Sequence, residues 1–128
     1  MHKPFFITAA ILGALTVAMG AFGAHALKAI VPTEALAIYE TAVRYQFYHV
    51  FALAITAILY EKYPNKTLIN AGASFIGGMF LFCGSLYLLT VKATTGIEWL
   101  KHAGPFTPVG GAFFISGWLQ LAWGVKKG

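Results

Sequence analysis

Charged residues stand in this chain as widely spaced posts. Between Lys3 and Lys28 lie 24 residues without Asp, Glu, Lys or Arg, between Lys66 and Lys92 lie 25, and between Lys101 and Lys126 lie 24. About 20 helical residues cross about 30 Å of hydrocarbon, so each interval is long enough to span a bilayer. A water-soluble domain has no use for three such intervals in 128 residues. The chain is 10% charged where an ordinary soluble domain is about a quarter charged. A soluble enzyme, a nucleic-acid module and a disordered tail are thereby excluded. The expected fold is an all-α transmembrane bundle forming one domain over residues 1–128.

A fourth uncharged block, Tyr45 to Tyr60, has only 16 residues. It becomes a span if its helix starts earlier and carries Arg44 into the headgroup layer, where the guanidinium snorkels and Glu40 sits one turn away to pair with it. Four spans are expected, roughly 4–25, 35–60, 67–91 and 107–125. Local punctuation agrees. Pro4 and Pro108 suit a first helical turn, Thr107 reads as the N-cap before Pro108, Pro32-Thr33-Glu34 opens the second helix, and Tyr63-Pro64-Asn65 turns between the second and third. Lys3, a long apolar run and Ala24-His25-Ala26 imitate a signal peptide, but the run is longer than a signal's apolar region, so it reads as a retained helix.

The chain carries 9 basic and 4 acidic residues, for a net charge of +5. The bases lie between apolar blocks and form no stripe for phosphates to follow, so nucleic acid is not expected as a partner. With four spans both termini share one side. That side holds Lys3, Lys62, Lys66, Lys126 and Lys127, against Lys28, Arg44, Lys92 and Lys101 opposite, and the positive-inside rule places the termini in the cytoplasm. The one cysteine, Cys83, has no disulfide partner and reads as a small packed hydrophobe.

Glycines recur seven apart: Gly13 and Gly20, Gly77 and Gly84, then Gly110, Gly117 and Gly124. In the first helix the stripe fills out as Ala9, Gly13, Thr16, Gly20, Gly23, the period of a left-handed seam. Lipid removes the apolar driving force between helices, and close approach over small residues takes its place. These glycines are therefore expected to pack helix on helix. A leftover Gly/Ala face offers a route to a homo-oligomer.

Four short motifs carry the polar residues of the spans: Gly20-Ala21-Phe22-Gly23-Ala24-His25, Tyr45-Gln46-Phe47-Tyr48-His49, Gly84-Ser85-Leu86-Tyr87 and Thr107-Pro108-Val109-Gly110-Gly111. Their order and spacing resemble the small YgdD/YwdK-like inner-membrane family, a domain of unknown function numbered 423. The resemblance covers nearly the whole chain, with two departures: Cys83 stands where a serine is expected, and the position of Arg44 can be acidic in relatives. It implies a four-span, multi-pass protein of the bacterial cytoplasmic membrane and brings no reaction with it.

Threading the motifs through four spans puts His25, Tyr45, Gln46, His49, Ser85, Tyr87 and Thr107 in one half of the bilayer, with Glu98 and His102 in the loop above them. The other half is expected to hold no comparable set. Intramembrane polar groups are costly and usually face the bundle interior. They either satisfy one another and fix helix register, or line a pocket for a small amphiphile or solute. The expected partner is membrane lipid. No cofactor is indicated, and without a His-x-x-x-His or Cys-x-x-Cys spacing no metal site is expected. A third reading, a lipid-modifying enzyme using Ser85 and His49, lacks an orienting carboxylate.

Overall fold

The computed structural model describes residues Met1–Gly128. Four long helices run up and down: α1 (Lys3–Ala24), α2 (Thr33–Leu59), α3 (Lys66–Thr95) and α4 (Phe106–Lys127). There are no strands. The first three are long and apolar enough to cross a membrane. Gly110, Gly111 and Gln120 dilute α4, yet its 22 residues reach about 33 Å. It lies antiparallel along α3, with Gly124 at Leu68, Gly117 at Phe75 and Gly110 at Phe82, and so occupies the same slab. Each helix starts one or two residues earlier than expected, α1 and α2 stop one residue short, and α3 and α4 run on by four and two residues.

Both termini and the 60–65 turn share one end of the bundle, the termini end. There the Met1 ammonium lies 3.7 Å from Glu61, and Gly128 abuts Tyr63. His2 Nδ1 caps α1 by accepting from the Phe5 N–H at 3.2 Å. Asn65 accepts from Leu68 N–H at 3.1 Å to start α3, and its amide donates across to Gly124 O at 3.0 Å. At the opposite, loop end, the connections carry short 3-10 helices, one turn at Leu27–Ala29 and two turns at Glu98–Ala103. Gly96, at φ 75°, closes α3 in the left-handed conformation that favours glycine.

Two local expectations fail. Thr107 is not an N-cap: α4 already begins at Phe106, and the threonine hydroxyl meets Ser85 instead. The 96–105 connection folds back along α3, so α4 starts level with Ser85, ten residues before the end of α3 and about 15 Å short of it. Arg44 does not pair with Glu40 either. Its guanidinium donates to Thr41 Oγ1 at 3.3 Å, one turn back on the exposed face.

The small-residue stripe of α1 faces α2. Ala9, Thr16 and Gly23 are buried, and a Cβ at Gly13 or Gly20 would touch Val50 or Val43 at an ordinary 3.5 Å. Gly23 is tighter, because the Tyr39 ring occupies the space a Cβ needs while its hydroxyl donates to Met19 O. On the other side, Gly78, Gly110, Gly117 and Gly124 let α3 and α4 approach, and Gly72 receives the Phe5 ring. Gly77 lies 3.2 Å from Phe113 by the same measure.

Gly84 breaks the pattern. A Cβ there would meet nothing within 4 Å, so it packs against no helix. The cause is one π-helical turn, Met79–Cys83, between Gly77 and Gly84. A π turn adds a residue to the helical repeat and rotates everything after it by about 100°. The seven-residue spacing therefore no longer puts both glycines on one face. The loop-end half of α3, with Ser85 and Tyr87, is turned accordingly.

Candidate functional site

Three polar arrangements lie in the loop-end half and middle of the bundle. Across α1, α2 and α3, Gln46 Nε2 donates to Thr16 Oγ1 at 2.6 Å, and Tyr87 OH donates to Gln46 Oε1 at 2.7 Å. The Thr16 hydroxyl donates back to Leu12 O. Gln46 is buried among these partners, and Met19 Sδ lies 3.9 Å from its amide nitrogen. The chain ties three helices at one register.

One turn further along α2, His49 is 4% exposed. Its Nε2 lies 3.1 Å from Trp118 Nε1 and its Nδ1 lies 2.7 Å from Tyr45 O. Indole N–H only donates, so Nε2 is the acceptor, and Nδ1 carries the proton that it gives to Tyr45 O. The ring stacks on Phe114 at 3.5 Å between centroids and 7° between planes. Both ring nitrogens and one face are occupied.

The third arrangement sits where α4 begins. Ser85 is buried, its hydroxyl near both Phe82 O and Thr107 Oγ1. Donation to Phe82 O leaves Ser85 Oγ free to accept from Thr107. Outside this pair a recess of about 530 Å³ opens between α3 and the folded-back 98–103 turn. Phe80, Leu81, Leu88 and Trp99 line it with Ser85 and His102, and Gly84 forms part of its wall. Gly84 and Phe80 also border a smaller cleft of about 230 Å³ between α1 and α3, whose polar wall is Gln46 and Tyr87.

The expected site residues thus divide. Ser85 is brought to the larger recess with Thr107 beside it, and Gln46 and Tyr87 to the smaller cleft. His49 faces α4. Tyr45 is partly exposed beside it, stacked on Phe82 at 4.7 Å. His25 stands apart as the exposed residue ending α1 and lines none of these spaces. Ser85 and His49, the pair that nucleophilic chemistry would require, do not meet, since each is bonded to other partners. No three His, Cys, Asp or Glu side chains gather in a way that could hold a metal.

The DUF423 family, described as protein of unknown function, matches residues 19–111, which contain nearly all of these groups. The chain belongs to the DUF423 family. Among its relatives, the UPF0382 membrane protein of Haemophilus influenzae is 35% identical over 99% of this chain and 97% of its own length. The UPF0382 membrane protein YwdK of Bacillus subtilis is 39% identical over 93% of each chain. No solved structure matches. These relatives are named membrane proteins, and with several helices long and apolar enough to cross a bilayer the protein is a multi-pass membrane protein.

Within this DUF423 chain the sequence reading missed three things. Trp118 is the partner of His49, and its signal was an indole in mid-helix, away from the interfacial belt where Trp gathers. Thr16 reads as a small seam residue but also accepts from Gln46. The termini-end half is not bare either: Gln120 Nε2 lies 3.1 Å from Ser74 Oγ and 2.7 Å from Ser116 Oγ. These three stand in the charge-free blocks in plain sight, but outside the four motifs.

Proposed function

We propose that the protein binds a membrane amphiphile at the recess between α3 and the 98–103 turn. The observation that carries this reading is the recess itself: about 530 Å³, within the range of about 300–1,000 Å³ of small-molecule sites, apolar along α3 and polar at Ser85 and His102. An acyl or isoprenoid chain fits along Phe80, Leu81 and Leu88. The headgroup sits at His102 and Trp99, where the short turn meets the interface. Gln46 and His49 serve as frame rather than site in this reading, because their hydrogen-bonding capacity is met within the bundle.

The excess of basic residues at the termini end orients that end to the cytoplasm and the recess to the outer leaflet of the cell membrane. The full satisfaction of Gln46 and His49 also favours a second reading, a non-catalytic structural or interaction subunit whose polar residues only fix packing.

Native mass spectrometry of protein extracted gently from its own membrane separates the two. A Cβ at Gly84 meets nothing within 4 Å and Gly84 forms part of the recess wall, so a Leu side chain there competes for the space an amphiphile would fill. A lipid adduct present on the wild type and lost in Gly84→Leu, with thermal stability unchanged, supports the amphiphile site. The same adduct population in the wild type, Gly84→Leu and His102→Ala overturns it.

A further inference from the structure

We propose that the lipid-facing surface of α4 in the termini-end half is a homodimer interface, where Ser116 and Gln120 of two copies bond reciprocally. This site is separate from the recess and does not depend on what the recess binds.

The starting point is the Gln120 amide. Both of its N–H donors are directed within the chain, to Ser74 Oγ and Ser116 Oγ, which leaves Oε1 with no protein donor. Each of those serine oxygens receives a bond, and neither hydroxyl proton reaches a protein acceptor. By contrast, every buried side-chain polar atom in the chain is paired. Gln120 lies seven residues from Lys127 and Ser116 eleven, about 10 and 16 Å into the slab, and Ser116 is exposed there. Hydrocarbon supplies no water to complete these bonds.

The patch therefore presents an unfilled acceptor beside an unfilled donor. That is a self-complementary pair. About a two-fold axis along the membrane normal, Ser116 O–H of each copy donates to Gln120 Oε1 of the other, as an isologous interface requires. A second copy satisfies the patch by identity and arrives in the same orientation in the same membrane.

The relief of the surface fits the same occupant. Ala112, Ser116, Leu119 and Trp123 are all exposed and spaced four, three and four apart, the 3.5-residue repeat of a left-handed helix pair. They border a shallow depression of about 530 Å³ on the bundle surface, whose lining includes the small residues Ala112 and Ser116 together with Gln120. Small residues beside a polar group are what helix pairs in lipid use.

Disulfide scanning in native membranes tests this, with single cysteines placed on α4 in a Cys83→Ala background. Dimer bands are expected at Ala112→Cys, Ser116→Cys and Leu119→Cys and absent at Phe113→Cys and Ala122→Cys. Gln120→Leu, at a partly exposed position, should weaken association about tenfold in a dilution assay, since two reciprocal bonds are lost. Helix content and melting temperature, measured alongside, keep loss of fold from passing as loss of dimer. A dimer with no dependence on Gln120, bands without the 3.5-residue pattern, or no crosslink at any position overturns the proposal. The last outcome leaves lipid or a different protein as the occupant.

Discussion

Trp118 Nε1–H donates to His49 Nε2 at 3.1 Å across 69 positions of sequence, and it fixes the histidine as its neutral Nδ1–H tautomer. The second proton-bearing bond, to Tyr45 O at 2.7 Å, holds the ring plane parallel to Phe114. A histidine in the membrane is by default a functional candidate. Here two directed bonds and a stack give it a positioning role between α2 and α4, at a level where these helices have few other links.

From that bond follows a coupling. His49→Phe keeps the stack on Phe114 but strands the Trp118 N–H, and Trp118→Phe strands His49 Nε2. Each should lower unfolding free energy by about 1–3 kcal/mol, the cost of an unpaired polar group, since His49 is buried and the lipid around Trp118 offers no water to its N–H. The double variant should lose less than the sum. Steric-trap or denaturant unfolding in micelles measures it, and strict additivity would show that the bond contributes nothing.

Gln46→Leu should remove both hydrogen bonds by which α2 is tied to α1 and α3. Its coupling with Tyr87→Phe in a double-mutant cycle should be about 0.6–1.7 kcal/mol, the range found for interhelical hydrogen bonds in lipid. Coupling near zero would mean that Tyr87 OH finds another acceptor once Gln46 is gone.

The glycines should not respond alike to alanine. At Gly110 the new Cβ would strike the backbone of Phe82, which cannot swing aside, and the cost should be about 1–3 kcal/mol. At Gly13 it would meet Val50 at 3.5 Å, and Gly13→Ala should stay within about 0.5 kcal/mol of wild type. Melting temperatures of the two variants decide it, and equal values would contradict the packing at Gly110.

Gly84→Ala should be neutral or stabilising by about 0.5–1 kcal/mol, because it relieves the helix cost of glycine with nothing in the way. Marked destabilisation would show that the face of Gly84 is covered by something beyond this chain.

The termini should lie in the cytoplasm. Reporter fusions at Gly128 read this directly: fluorescent with a protein that folds only in the cytoplasm, silent with a periplasmic phosphatase. The reverse pattern would turn the bundle over and place the recess in the inner leaflet.

What the residues determined alone was set by solvent. Charge-free runs of 24 or 25 residues can only be satisfied as helices in lipid, so the helical class and three spans follow from the positions of Lys3, Lys28, Lys66, Lys92, Lys101 and Lys126, and the fourth follows from the block Tyr45–Tyr60 once Arg44 is carried to the headgroup layer. The polar candidates were equally legible as residues that lipid penalises. Which of them meet was not legible, because it depends on helix rotation. The π turn at Met79–Cys83 shifts the face of α3 after Gly78, so Gly84 opens onto a recess while Gly77 packs on Phe113. The fold-back of the 96–105 connection sinks Thr107 to Ser85. Trp118 and Gln120 gained their partners from α2 and α3 only once α4 was laid against them. Span count is a property of local transfer energy, read one helix at a time. Side-chain pairing is a property of rotation and depth between helices, and only the packed bundle decides those.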